Sequence, residues 1–273
     1  MRRMPRLTLA FALGILATFA LPPYHIVPVL WVALPALLWL LDGCTTWRTS
    51  AAVGWAFGFG HFLVGLAWIV NAFYVDAETF GLLAWPALLG LTFALGVFFA
   101  GVALITHAIP PGEKLERRAA RALLFAAAWT FQEWVRGWIL TGFPWNPMAT
   151  VWSETATPLG IAIQQSVSVI GTFGLSLLTV AAASLAAAMA APTRARWLWS
   201  GTPLVVIALI AALGHLRLAS PTAFVPGIKL RLVQPNVPQA EKWRPGLREL
   251  HLADYVALST AGRGEDVNVV VWG

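Results

Sequence analysis

Residues 80–109 read FGLLAWPALLGLTFALGVFFAGVALITHAI and contain no Asp, Glu, Lys or Arg. A helix needs about 20 predominantly apolar residues to cross the hydrocarbon core of a bilayer. This stretch is long enough to cross it with some tilt. The sequence therefore predicts a transmembrane helix here, and similar apolar stretches lie on both sides of it.

The composition excludes a water-soluble globular enzyme as the whole of this protein. The 273 residues are 59% hydrophobic and 11% charged, with a mean hydropathy of +0.73, whereas a typical soluble domain is about 25% charged. A disordered chain would have the opposite balance. The net charge of +6 comes from residues too few and too scattered to form a nucleic-acid-binding stripe. We therefore expect a membrane protein that binds no nucleic acid.

Seven apolar stretches are predicted to span the membrane. The first two are short, and we expect them to form a helical hairpin that turns at Pro22-Pro23. Arg2, Arg3 and Arg6 before an apolar run are also compatible with a signal peptide, but six further spans favour an uncleaved helix. Residues 1–220 are thus predicted to form a multi-pass α-helical membrane domain. The predicted spans are about 7–21, 26–41, 51–73, 80–109, 119–139, 161–191 and 197–218.

Glycines recur inside these spans. Gly54 and Gly58 have GxxxG spacing, which is typical of closely packed transmembrane helices. The alternative interpretation is a substrate-conducting path between the helices.

The loop charges predict the orientation. If the N-terminus is cytoplasmic, the inside segments hold ten Lys or Arg residues and the outside loops hold one, Arg136. Cytoplasmic loops carry such an excess, so we expect a cytoplasmic N-terminus and a periplasmic C-terminal part. The ten are Arg2, Arg3, Arg6, Arg48, Lys114, Arg117, Arg118, Arg121, Arg194 and Arg196.

The composition changes at Ser220-Pro221, where a polar tail begins. Residues 228–233 alternate apolar and charged side chains, 247–262 have helical spacing, and 267–272 form an apolar β-branched run. Strand, helix and strand in this order are how an α/β domain begins. Residues 221–273 are too few to hold a core alone, so we expect an incomplete domain in a C-terminally truncated sequence.

Three segments of the chain have a distinctive pattern: RGWILTGFPW at 136–145, VQPNVPQ at 233–239 followed by Lys242-Trp243, and VVVW at 269–272. Taken together, they resemble the apolipoprotein N-acyltransferases of the bacterial inner membrane. The resemblance runs in order through the entire chain, and WAFGFG at 55–60 with Trp68 also looks like that family's third span.

The resemblance implies a fold and an activity. About seven transmembrane helices would precede the first β-α-β of a periplasmic nitrilase-like (CN hydrolase) domain. The enzyme would transfer an acyl chain from a membrane phospholipid to the N-terminal amine of a diacylated apolipoprotein cysteine. The reaction would pass through a thioester on an enzyme cysteine, with a Glu as base, a Lys stabilising the oxyanion, and no cofactor.

One position departs from the family pattern. The catalytic Glu of the family follows a Trp-Pro pair at the end of the second strand, but here Gly273 follows Trp272. We therefore expect the Glu-Lys-Cys triad beyond Gly273, no catalytic residue in this chain, and an inactive chain as it stands. Cys44, the only cysteine, lies in a predicted cytoplasmic loop and is expected to be incidental.

Six residues are candidates for contacting substrate: Arg136, Gly142, Phe143, Pro144, Trp145 and Trp243. Arg136 could bind a lipid phosphate or pair with Glu133 three residues earlier. The loop at 141–145 could shape lipid entry or act as an interfacial aromatic anchor. Trp243 could contact substrate or pack conventionally.

Two rival functions are weighed against this one. A non-enzymatic membrane protein, such as a transporter or lipid-binding scaffold with a short periplasmic appendage, would favour internal repeats and mid-span charges, which the sequence hardly has. A different membrane-tethered amidase or acyltransferase would not need RGWILTGFPW. The five histidines lack metal-ligand spacing and there is no Gly-rich phosphate loop, so neither a metal nor a nucleotide is expected.

Overall fold

The computed structural model describes residues 3–139, 142–153, 157–221, 223–242, 244–262 and 267–273. The chain forms two units. The first comprises Met1–Ile69 and Trp85–Ser220, and the second comprises Val70–Ala84 and Pro221–Gly273. Each unit is described by itself below.

The chain is mostly helical, as the apolar stretches predict. Residues 19–29 join the first two helices and contain the Pro22-Pro23 pair, so the predicted helical hairpin is present. The helices up to residue 220 are α1 (Arg3–Thr18), α2 (Leu30–Asp42), α3 (Trp47–Gly65), α4 (Val70–Phe73), α5 (Ala77–Phe80), α6 (Ala84–His107), α7 (Leu115–Arg136), α8 (Pro158–Gln164), α9 (Val167–Leu185) and α10 (Arg196–Leu218).

Each predicted span contains a helix, but fewer segments are both long and apolar enough to cross a membrane. Three of the described segments meet that requirement, namely Ala77–His107, Val167–Ala190 and Arg196–Leu218. A fourth is obtained if Trp47–Gly65 and Ala67–Phe73, bent by 46°, form one span. Pro5–Thr18 and Val27–Asp42 are apolar but shorter. The described residues thus support a multi-pass membrane protein with three or four clear spans.

The predicted sixth span, 161–191, is interrupted. α8 ends at Gln164 and α9 begins at Val167, and Gly171 inside α9 has a φ of +69°, which kinks the helix. The Gln164 side-chain amide donates to the Trp152 carbonyl at 2.6 Å. The break falls at Gln165-Ser166, whose side chains donate to the Ile161 and Ile163 carbonyls at 3.3 and 2.8 Å. Such local side-chain hydrogen bonds compete with a regular helix, and an average over hydropathy does not detect them.

Glycines allow α3 to contact two helices at backbone distance. A Cβ at Gly14 of α1 would overlap the carbonyl oxygen of Phe57, and one at Gly60 would overlap that of Phe11. On its other side, Gly54 meets the backbone of Phe99 in α6. These contacts support close packing as the role of the recurring glycines.

The second unit contains a small parallel sheet. Strand β1 (Leu230–Val233) pairs in parallel with β2 (Val269–Trp272), and α11 (Arg248–Thr260) connects them. The Arg231 guanidinium donates to the carbonyls of Ser259 and Ala261 at 2.8 Å each, which ties the end of α11 to β1. The predicted strand, helix and strand are therefore confirmed, each slightly shorter than predicted.

We expect Gly60→Ala to destabilise the protein by about 1–3 kcal/mol, because the new methyl group forces α1 and α3 apart. Gly90→Ala is the matched control, since nothing lies within 4 Å of a Cβ at Gly90. That substitution should be neutral or slightly stabilising, because Ala favours a helix over Gly. Unfolding of both variants in detergent micelles measures the difference, and equal stabilities would contradict the packing.

Candidate functional site

Five of the six candidate substrate-binding residues lie in one place, at the end of α7 and in the segment that follows it. This segment, Gly142 to Met148, leads into a short 3-10 helix, Met148–Trp152. Gly142 has a φ of +70°, a conformation that other residues rarely adopt, and its N–H donates to the Ile139 carbonyl at 3.0 Å. The sixth candidate, Trp243, lies outside the described residues.

Arg136 ends α7 with its side chain buried, only 2% exposed. Its Nη1 donates to the Trp145 carbonyl at 2.8 Å. Its Cζ lies 4.9 Å from the centre of the Phe62 ring and 5.9 Å from that of Phe98, within cation–π range. In this arrangement the guanidinium holds the loop backbone and faces aromatic rings.

Glu133, one turn earlier, is also 2% exposed. Its Oε1 accepts two hydrogen bonds of 2.8 Å, one from Trp129 Nε1 and one from the backbone N–H of Met148. A buried carboxylate needs such donors because desolvation is costly. Glu133 therefore fixes the C-terminal end of the loop at Met148, and Arg136 holds the same loop at Trp145.

The predicted ion pair between Glu133 and Arg136 does not form. Among the described residues, side-chain ion pairs join only Asp42 to Arg118 and Arg121. Glu133 and Arg136 share a helix face, as predicted, but each binds a different backbone group of the loop. We call these two side chains, with the Trp145 carbonyl and the Met148 N–H, the charged clasp.

His61 adds a polar group that the sequence did not single out. It is 1% exposed in α3, and its Nδ1 lies 3.3 Å from Thr18 Oγ1 of α1. Its ring centre is 5.5 Å from that of Phe99 and 6.0 Å from that of Trp129, the residue that donates to Glu133. The available signal was a single histidine inside an apolar span, directly after the packing glycine Gly60.

The 3-10 helix after the loop is bound to α9. The Ala149 N–H donates to Ser176 Oγ at 2.9 Å, and Trp152 Nε1 donates to Thr179 Oγ1 at 2.8 Å. The Asn146 side chain also packs against Gly65 at the end of α3, where a Cβ would meet its amide nitrogen. The base of the loop is therefore held by α3, α7 and α9.

The tip of the loop is exposed. Phe143 is 45% exposed, Pro144 is also exposed, and the ring centres of Phe143 and Trp145 lie 4.6 Å apart. Exposed Trp134 and Trp138 continue the aromatic surface at the end of α7, with ring centres 6.4 Å apart. Such aromatic residues are typical of the membrane–water interface. Both interpretations of the loop, as an interfacial anchor and as a lipid entry, are compatible with this geometry.

A cavity of about 570 Å³ lies beside the 3-10 helix. Its walls come from the α1–α2 turn, the 3-10 helix, α8 and α10, and include Val27, Trp31, Val151, Leu159 and Leu204. His25 and Thr157 supply polar groups. An apolar cavity with few polar groups suits a lipid chain.

The parallel sheet of the second unit places two strand ends side by side. Val233 is in register with Trp272, and the Gly273 N–H donates to the Val233 carbonyl at 3.2 Å. Gln234 follows β1, and a Cβ at Gly273 would meet its Oε1 at 2.6 Å. Carboxyl ends of parallel strands are where α/β domains place their active sites.

Cys44 has the properties of a structural residue. Its side chain is 4% exposed, and its Sγ lies 3.5 Å from the Leu40 carbonyl. Burial raises the pKa of the Cys44 thiol, which disfavours the thiolate that a nucleophile requires. These observations agree with the expectation that Cys44 is incidental.

Comparison with known proteins decides the family. The sequence profile described as "Apolipoprotein N-acyltransferase N-terminal domain" matches residues 13–185, which include the whole charged clasp. The chain belongs to the apolipoprotein N-acyltransferase family. Relatives named apolipoprotein N-acyltransferase in Rhodopseudomonas palustris and Bradyrhizobium diazoefficiens are each 37% identical to it, and one in Sinorhizobium medicae is 35% identical.

These alignments cover 98% of this chain and 51% of each relative. The chain therefore spans about half the length of the curated apolipoprotein N-acyltransferases it matches. The half that it represents is the N-terminal one, which carries the membrane helices and the anchored loop.

We expect Glu133→Ala to lower the free energy of unfolding by about 2–3 kcal/mol, because two buried donors lose a charged acceptor. Limited proteolysis in detergent should then cut within residues 142–148, which the intact clasp protects.

Glu116→Ala is the control, since Glu116 is an exposed acid in the first turn of the same helix. It should change stability by less than about 1 kcal/mol and leave the loop protected. Equal protection of the loop in both variants would refute the clasp.

Proposed function

We propose that this chain is the membrane half of an enzyme that transfers an acyl chain from a phospholipid to the N-terminal amine of a diacylated apolipoprotein cysteine. Family membership supports the reaction class, and the relatives' names state the acceptor. The observation that carries the proposal is the loop at 142–148, which is fixed at its base by the charged clasp and exposed at its aromatic tip. Such a loop can contact a lipid without losing its position.

The reaction has two steps. In the first, an enzyme thiol gives its proton to a base and attacks the ester carbonyl of the phospholipid; the ester C–O bond breaks, a thioester forms, and the lysophospholipid leaves as an alcohol after taking the proton. In the second, the lipoprotein amine attacks the thioester, the C–S bond breaks, an amide forms, and the amine proton passes through the base to the leaving thiolate. An activated thiol, a base and an oxyanion donor perform such chemistry. Cys44 is the only thiol among the 273 residues, and it is buried, so we propose that this chain forms no thioester by itself.

The domain division follows the composition. We propose that residues 1–220 form the membrane domain, with seven spans once the shorter helices α1 and α2 and the charged helix α7 are included. Residues 221–273 begin the nitrilase-like domain. Its strand ends at Val233 and Trp272 lie side by side, at the edge where α/β domains place their active sites. The protein resides in the inner membrane with a cytoplasmic N-terminus and a periplasmic C-terminal part, as the loop charges indicate.

Each candidate residue has a proposed role. Arg136 positions the loop through the Trp145 carbonyl. Gly142 adopts the positive φ that the turn of the loop requires. Phe143, Pro144 and Trp145 contact the lipid chain at the membrane surface. Trp243 contacts substrate. The cavity of about 570 Å³ beside the 3-10 helix that follows the loop is large enough for part of an acyl chain.

Single-cysteine labelling tests the orientation, and the sequence suits it because Cys44 is the only cysteine to remove. In a Cys44→Ser background, Asp76→Cys should react with an impermeant maleimide in cells with a permeable outer membrane. Thr45→Cys should react only after the inner membrane is disrupted. Labelling of both positions from the outside, or the reverse pattern, would contradict the proposed orientation.

N-acylation of a lipoprotein tests the function. The gene for this chain, with all its downstream coding sequence, should restore N-acylation in a bacterium depleted of its own enzyme, as measured by mass spectrometry of the lipoprotein N-terminal peptide. Trp145→Ala should reduce the rate by roughly tenfold or more, because the loop no longer positions the lipid.

Trp138→Ala is the control, since Trp138 is 73% exposed and lies outside the loop. It should retain the rate of the unmodified protein. The 273-residue chain alone should take no label from a phospholipid with a labelled acyl chain. The proposal fails if the complete gene restores no acylation, or if Trp138→Ala and Trp145→Ala lose activity equally.

A further inference from the structure

We propose that a basic cavity at the N-terminal end of α3 binds the phosphate headgroup of an anionic phospholipid. The loop at 142–148 packs against the opposite end of this helix. The cavity has a volume of about 720 Å³ and lies between the start of α1, the α2–α3 loop and the end of α6. This lipid is distinct from the acyl donor. The proposal uses the membrane orientation of the proposed function but not the acyl transfer itself. We call the site the basic cavity; its polar lining comprises Arg6, Thr45, Thr46, Arg48, Thr49 and His107.

The charge of the cavity favours an anion. Arg6 and Arg48 bring positive charge to it from two different segments of the chain, and His107 adds a polar ring from a third. None of the described residues that line it is Asp or Glu. Asp42, the acid nearest to it in sequence, is paired with Arg118 at 3.6 Å and Arg121 at 3.1 Å. The cavity therefore concentrates positive charge that no lining carboxylate neutralises.

The two arginines are held so that donors remain for a ligand. Arg6 Nη1 donates to the Gly43 carbonyl at 2.7 Å, which fixes the guanidinium against the wall. A guanidinium has five N–H donors in a planar fork that matches phosphate oxygens. Arg48 lies with its Cζ 5.1 Å from the centre of the Trp47 ring. Thr46 and Thr49 form a capping box that orders the start of α3 beside these cations.

The apolar part of the cavity favours a lipid over a soluble anion. Leu7, Ala52 and Val53, which belong to the predicted first and third spans, form its apolar wall together with Cys44 and Trp47. Trp47 is 57% exposed at its edge, as is typical of a residue at the membrane–water interface. A phosphate bound at the arginines would therefore have its acyl chains beside apolar side chains. Basic pockets between helices on the cytoplasmic side bind lipid headgroups in this way.

Native mass spectrometry of the purified 273-residue protein in detergent tests the proposal. The probes are phosphatidylglycerol and phosphatidylcholine with identical acyl chains, titrated separately. We expect a first phosphatidylglycerol to bind more tightly than phosphatidylcholine. Arg48→Gln should weaken its binding about five-fold, the effect of one cation near an anionic headgroup. Arg48→Lys, which keeps the charge, should retain most of the affinity.

Arg196→Gln is the matched control. Arg196 lies over Trp197 with its Cζ 5.5 Å from the ring centre, so it repeats the Arg48–Trp47 arrangement on the same predicted side of the membrane. It does not line the basic cavity, and its replacement should leave phosphatidylglycerol binding unchanged. Arg48 is exposed, so its replacement should not unfold the protein, and the lipid-free spectra and thermal stability check this.

Three results would overturn the proposal. Equal loss of binding in Arg48→Gln and Arg196→Gln would indicate a general effect of surface charge. Equal affinity for the two lipids would exclude recognition of the anionic headgroup. Displacement of phosphatidylglycerol by millimolar inorganic phosphate would identify a soluble anion as the occupant. The experiment measures lipid binding and involves no acyl transfer. A negative result would therefore overturn this site without bearing on the proposed acyltransferase function.

Discussion

Glu133 and Arg136 carry charge into the apolar interior of the first unit, and the arrangement of the loop depends on how that charge is compensated. A buried charge is tolerated only when hydrogen bonds replace the water it has lost. Here the replacements are backbone groups of the following loop, the Trp145 carbonyl and the Met148 N–H. Glu133 Oε1 and Arg136 Nη1 thus find partners, and the same bonds fix residues 145–148 on α7.

The clasp is supported by close packing among the helices. Gly14 and Gly60 let α1 and α3 approach to backbone contact, and Gly54 does the same for α3 and α6. This approach encloses His61, which packs against Trp129, the residue that donates to Glu133. A rigid base therefore carries a loop whose tip remains exposed to a ligand, an arrangement expected of a site that must hold its geometry.

Most elements of the fold could be predicted because their signals are local. Hydropathy located α6 and α10 within a few residues, and alternation with β-branching located β1 and β2. The breaks were missed for a physical reason. α8 and α9 separate at Gln165-Ser166, whose side chains bond nearby carbonyls, Gly171 kinks α9, and the chain bends by 46° after α3. An averaged hydropathy contains none of these local backbone features.

The sequence by itself determined the membrane class, the family and the segment 136–145 as the place of interest, because composition and motifs are properties of the linear chain. The tertiary structure decided what Glu133 and Arg136 do. Their spacing shows only that they share a helix face, so an ion pair between them was a reasonable expectation. Their partners lie 15 and 9 residues further along the chain, in a loop that turns back at Gly142. Only the path of the folded backbone brings those groups within reach, so only the structure could replace the predicted pair with the charged clasp.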